Sequence, residues 1–110
     1  MTRLGLSKAA TSLLRALIAR SGLPRDRILL MGWRSVDWQS LTFVGERHEI
    51  ELRLAGPEAQ GGKARLLAGL GEAEFEIAGQ IVADISVSNT RQDPADGSIL
   101  INLEALTIAE

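Results

Sequence analysis

The sequence predicts an α+β fold in which two helices cover one face of a single antiparallel sheet. Three observations predict it. An apolar stripe at helical spacing runs through Ala10, Leu13, Leu14, Leu17 and Ile18. His48, Ile50, Leu52 and Leu54 alternate without error with Arg47, Glu49, Glu51 and Arg53. Every odd position from 73 to 87 is small or apolar: Ala73, Phe75, Ile77, Gly79, Ile81, Ala83, Ile85 and Val87. Period two is the signature of a strand with one wet and one buried face. With helical patterns in only two places, a five-stranded sheet carrying both helices on one face (α-βββ-α-ββ) is the economical arrangement.

The elements follow in order. Ser7 is an N-cap whose hydroxyl can accept from free amides of the first turn, and Gly22 with Pro24 ends the helix, which spans Ser7 to Ser21. Arg27–Val36 is a short apolar strand, Asp37 a bend, and Trp38–Val44 a second strand. Gly45-Glu46 turns the chain into the third strand, Arg47–Leu54, which Gly56-Pro57 stops. Gly61-Gly62 marks a loose segment before a short helix over Lys63–Leu70, with Ala64, Leu67, Ala68 and Leu70 facing inward. Ala73–Val87 is expected as one long strand bent at Gly79, because a hairpin there would put Asp84 on the apolar face. Asp93-Pro94 and Asp96-Gly97 form a polar hairpin loop before the last strand. There the apolar parity changes from Ile99, Ile101 and Leu103 to Leu106 and Ile108, so a bulge is expected near Glu104-Ala105. Ile50, Leu52, Phe75, Ile77, Ile85 and Ile101 are the expected core.

A chain of 110 residues with 45% hydrophobic and 24% charged residues is one ordinary globular domain able to bury its own core. It has no cysteine, which excludes disulfides, thiolate catalysis and thiolate-held metals and fits a reducing, cytoplasmic setting. No apolar run approaches the roughly 20 residues of a membrane span, so no membrane partner is expected. Residues 1–25 hold five basic residues and no acid, a bias shared with organelle-targeting peptides, but their helical stripe places them in the domain.

Net charge is −2, yet it is unevenly spread. Up to Val36 there are seven basic residues against Asp26; from Asp37 onward there are five basic and thirteen acidic. Such a split marks either an anionic partner or a basic helix lying on an acidic sheet. In the second case the N-terminal arginines should lie near Glu74, Glu76 or Asp84.

No constellation specifies an activity. His48 is the only histidine and sits on the apolar parity of its strand, the place of a packed imidazole. No serine occupies a G-x-S-x-G elbow. Glu72, Glu74, Glu76 and Asp84 share a parity, but same-face residues on a strand lie about 6.5–7 Å apart. That is too far to chelate one ion, so no metal or cofactor is expected. Gly61-Gly62-Lys63 lacks the phosphate-loop pattern, having Pro57 and Ala64 at its other defining positions. Helix, three strands, helix is also the order of a double-stranded-RNA-binding domain. Here the second helix offers only Lys63 and Arg65 before an acidic strand, so nucleic acid is disfavoured.

The leading expectation is a non-catalytic interaction or assembly domain binding a protein partner or a second copy of itself. The contact residues that follow are Arg15, Arg20, Arg25 and Arg27 for an anionic partner, with Trp33 and Trp38 as aromatic anchors. Nucleic-acid or anionic-surface binding through Arg3, Lys8 and those arginines is the first alternative. A small-ligand carrier with a pocket between helix and sheet is the second.

Overall fold

The computed structural model describes residues 5–110, so Arg3 lies outside the described residues. Helix α1 spans Lys8–Ser21, strand β1 Ile28–Gln39, β2 Val44–Leu54, helix α2 Ala59–Leu67, β3 Gln80–Gln92 and β4 Ile99–Ala109. Single 3-10 turns, Arg25–Arg27 and Leu70–Glu72, precede β1 and follow α2. The fold is α+β, with one antiparallel sheet of order β1-β2-β4-β3.

Helix α1 begins and ends where its capping chemistry dictates. Ser7 Oγ accepts from Ala10 N–H at 3.1 Å, and Gly22 closes the helix at φ 66°, in the left-handed region. Its inner face, Ala9, Ala10, Leu13 and Leu17, packs with α2 residues Ala59 and Leu66 on one face of the sheet. That covered face holds Ile50, Leu52 and Leu54 of β2 and Ile99, Ile101, Leu103 and Ala105 of β4. Five of the six expected core residues are buried there; Phe75 is only partly buried, against the core's margin.

Four strands replace the expected five. Arg27–Val36 and Trp38–Val44 are not two strands joined by a bend at Asp37. Asp37 stays in register opposite Glu46, and the chain turns only at Ser40–Phe43. A bulge at Met31, between Leu30 and Gly32, shifts the parity and blurs the alternation of this strand.

The second helix starts four residues earlier than expected and runs through Gly61 and Gly62. Tertiary packing overrides glycine's low helix propensity: a Cβ at Gly62 would stand 2.5 Å from Leu23 Cδ1. Its buried residues are Ala59, Gly62 and Leu66, not Ala64 or Leu67.

Ala73–Val87 is not one bent strand. The chain reverses over Ile77–Gln80, with Gly79 at φ 74°, and β3 begins at Gln80. Asp84 avoids the apolar face because a bulge at Ala83 resets the parity, and a second follows at Ser88. Strand β4 carries no bulge against β2; its register is continuous from Ile99 to Ile108. Leu106 and Ile108 therefore lie on the sheet's other face, which no helix covers.

Candidate functional site

The sole histidine lies in a closed polar knot beneath the start of α1. Register places Ser35 opposite His48 and His48 opposite Ala105, two residues from Thr107 on the same face. Trp33 Nε1–H is shared between Ser35 Oγ at 3.0 Å and His48 Nδ1 at 3.2 Å. An indole N–H only donates, so Nδ1 is the accepting nitrogen and Nε2 carries the proton. Nε2–H then donates to Thr107 Oγ1 at 2.9 Å, while Ser35 Oγ–H donates to Nδ1 at 2.8 Å. The Trp33 and His48 rings meet edge-on at 5.5 Å. His48 is fully buried, and burial pushes its pKa below the ordinary 6.5 against the opposing pull of the Glu46 carboxylate.

Ser35 and His48 have the separation of a nucleophile and its base. Their surroundings oppose that chemistry. No carboxylate holds Nε2. The hollow of about 300 Å³ beside Ser35 is lined by Asp37 and Glu46 together with Arg34, which is paired with Glu49, so its balance of charge opposes a developing oxyanion. Glu46 is engaged in structure, accepting from Ser7 Oγ at 2.7 Å and so tying the helix start to β2. The knot joins β1, β2 and β4, and the neighbouring Ser7–Glu46 bond ties the start of α1 to the sheet.

The sequence-proposed arginines are not gathered into one patch of free cations. Arg20 Nε donates to Leu66 carbonyl at 2.9 Å and its Nη2 to Ala68 carbonyl, and the guanidinium lies 6.0 Å from the Phe75 ring centre. Arg20 therefore caps α2, as Arg65 Nε caps α1 through Ser21 carbonyl at 2.7 Å. Arg15, Arg25 and Arg27 are exposed. Ion pairs among the described residues join Arg34 to Glu49 and Arg53 to Asp93 and Asp96, none of them linking the N-terminal arginines to Glu74, Glu76 or Asp84. The two tryptophans part company: Trp33 is partly buried against the core on the covered face, and Trp38 is half-buried on the open face of the sheet.

What the residue pattern missed is an apolar surface. Among the described residues nine large apolar side chains are exposed, and seven belong to β1, the turn after it and the first residue of β2: Leu29, Leu30, Met31, Val36, Leu41, Phe43 and Val44. Leu41 at the hairpin tip is fully exposed at 104%. The strip continues across the open face, where the register aligns Trp38, Gly45, Ile108 and Ile81 in one row and Val36, Arg47, Leu106 and Asp84 in the next. The parity change at Leu106 was the available signal for it. Farther along, a depression of about 420 Å³ is acidic, and Glu49 stands directly opposite Glu104. No cluster of three or more His, Asp or Glu able to hold a metal occurs among the described residues. No described helix is long and apolar enough to cross a membrane.

No known family model matches the chain, and neither the curated proteins nor the solved structures yield a match.

Proposed function

We propose that this protein is a non-catalytic interaction or assembly domain whose contact surface is the β1 edge with the β1–β2 hairpin. One observation carries the reading: six of the nine exposed large apolar side chains among the described residues lie on this single strand and turn, and a seventh, Val44, opens β2 beside them. Apolar side chains scattered singly need no explanation, whereas their concentration along one edge strand and its hairpin marks a contact surface. Trp38 and Val36 give that strip an aromatic and an aliphatic anchor, with Arg34 and Arg47 at its margin. The closed Trp33–Ser35–His48–Thr107 knot supports the same reading by leaving the one nucleophile–base pair without an oxyanion site.

The test is the double variant Leu41→Ser, Phe43→Ser. Both side chains are exposed, so the melting temperature should stay nearly unchanged. Solution mass across concentrations, together with proteins co-purified from the host, should show associations of the unmodified protein that the variant loses. Identical behaviour of the two would sink the reading. Polyanion binding through Arg15, Arg25 and Arg27 would instead appear as salt-sensitive retention on heparin, indifferent to the hairpin changes.

A further inference from the structure

The two edges of the sheet are unequally protected. On β3, bulges at Ala83 and Ser88 interrupt the ladder, and the strand ends in the polar run Ser88–Gln92. Bulges and polar side chains are how sheets blunt an edge against a new strand. On β1, the stretch from Gly32 to Gln39 pairs without interruption to β2, contains no proline and, among the described residues, has no strand on its other side.

The hairpin fixes which backbone groups face outward. Ser40 N–H donates to Phe43 carbonyl at 2.8 Å, so residues 40 and 43 form a hydrogen-bonded pair. Bonded and non-bonded pairs alternate along an antiparallel ladder. The even residues of this stretch are therefore spent on β2, while Trp33, Ser35, Asp37 and Gln39 turn N–H and C=O outward.

Resting on the reading that this edge is a contact surface, we propose that β1 pairs antiparallel with β1 of a second copy about a two-fold axis at Val36, joining two four-stranded sheets into one of eight. The occupant is a second copy because the strand is self-complementary at this register. Val36 meets Val36, and on the open face Arg34 stands opposite Trp38, twice, as a cation over an indole. On the covered face Trp33 stands opposite Gln39, and Ser35, whose hydroxyl proton is held by His48 Nδ1, stands opposite Asp37. Arg34 is free to make this contact, since its pairing with Glu49 at 3.5 Å is exposed. An axis at Arg34 or at Asp37 would set like charges opposite each other. An axis at Ser35 would set the Trp33 ring against Asp37. At Val36 the outward groups form four bonded pairs, about eight interchain hydrogen bonds.

The chain has no cysteine, so Val36→Cys supplies a single thiol. In a non-bonded antiparallel pair the facing Cα atoms lie about 4.5 Å apart, within reach of a disulfide. Mild oxidation of Val36→Cys should give a covalent dimer, and oxidation of Ser86→Cys on β3 should not. Asp37→Pro deletes only an outward N–H, leaving the bonds to β2 intact, so it should weaken dimerisation about tenfold or more without changing the circular dichroism. A wild-type mass that stays monomeric up to several hundred micromolar, or equal cross-linking at residues 36 and 86, overturns the proposal. If association is lost on changing Leu41 and Phe43 but survives Asp37→Pro, with no cross-link at 36, the contact surface stands and the strand pairing falls. If neither set of changes alters any association, both fall.

Discussion

The two faces of the sheet are built from alternate residues of the same strands, yet they obey different physics. Along β4, Ile99, Ile101, Leu103, Ala105 and Thr107 are buried beneath the helices, while Asn102, Glu104, Leu106 and Ile108 look the other way and keep contact with water. On the covered face the polar residues of the interior are sealed and paired, as His48 with Thr107 shows, while Asp37 and Gln39 at the β1 end stay exposed. On the open face Glu49 and Glu104 stand opposite one another, tolerable only because water screens them. Leu100 is the single buried open-face residue among those described, at 4% exposure, between Arg53 and Arg91. The contrast teaches where stability and contact reside. The covered face holds the fold together, so the open face and its β1 edge are free to carry charges and apolar groups that the fold does not need.

The largest test of that division is a matched pair of truncations at neighbouring positions of β2. Leu52 is fully buried among the core residues, so Leu52→Ala should cost about 2–5 kcal/mol in denaturant unfolding. Glu51→Ala, one residue away on the open face, should stay within about 0.5 kcal/mol. Comparable losses at both sites would mean that the open face is covered in solution.

Gly45 tests the seam between the faces. It stands in the open-face row of Trp38 and Ile108, where an added Cβ would come 2.0 Å from the Thr107 carbonyl oxygen. The obstacle is backbone and cannot swing aside. Gly45→Ala should therefore push β2 from β4 at the hairpin end and cost about 1–3 kcal/mol. Amide exchange should quicken around Thr107 while β4 near Ile99 stays protected. Uniform protection would show that the strands absorb the methyl group.

Next in size is the buried knot. Thr107→Val keeps the shape but leaves His48 Nε2–H without an acceptor, which should cost about 1–3 kcal/mol at neutral pH. Thr107→Ser, which restores the hydroxyl, should recover most of it.

Much of the covered face was legible in the residues, and for a physical reason. Ser7, Gly22 and Pro24 act locally, so the bounds of α1 need no tertiary knowledge. The alternation in β2 is strict because one of its faces is dry and the other wet. Legibility failed wherever a distant contact outweighed a local preference. Gly61 and Gly62 suggest a loop until Leu23 is seen to need the space at Gly62. Asp37 suggests a bend until β2 is present to hold it extended. Leu106 and Ile108 suggest a bulge only if apolar residues are assumed to face a single core. The His48 knot joins residues as far apart as 59 positions, so its members could be gathered only after the strand registers were known.

The smallest effects distinguish sealed from exposed groups by proton uptake. Folding lowers the pKa of one group sealed on the covered face and of one in the exposed β3–β4 turn. For His48 the cause is burial, and the ordinary value is 6.5. For Asp96 the causes are the Ser98 hydroxyl and N–H, at 2.7 and 2.9 Å, and then Arg53; they lower its carboxyl from 3.8 to about 2. In both cases the unfolded chain binds the proton more readily than the folded one, so stability falls as pH falls. The windows do not overlap. The loss from His48 begins below about pH 6.5, at no more than about 1.4 kcal/mol per pH unit. The contribution of Asp96 is whole above pH 3.8 and is lost as pH falls toward about 2. Unfolding of wild type compared with His48→Gln should differ in slope only in the upper window, and compared with Asp96→Asn only in the lower. High salt should shrink the Asp96 difference, because its Arg53 partner lies in solvent-screened surroundings, and leave the His48 difference in place. A salt-sensitive upper window would mean that water reaches the imidazole and that the covered face is not sealed.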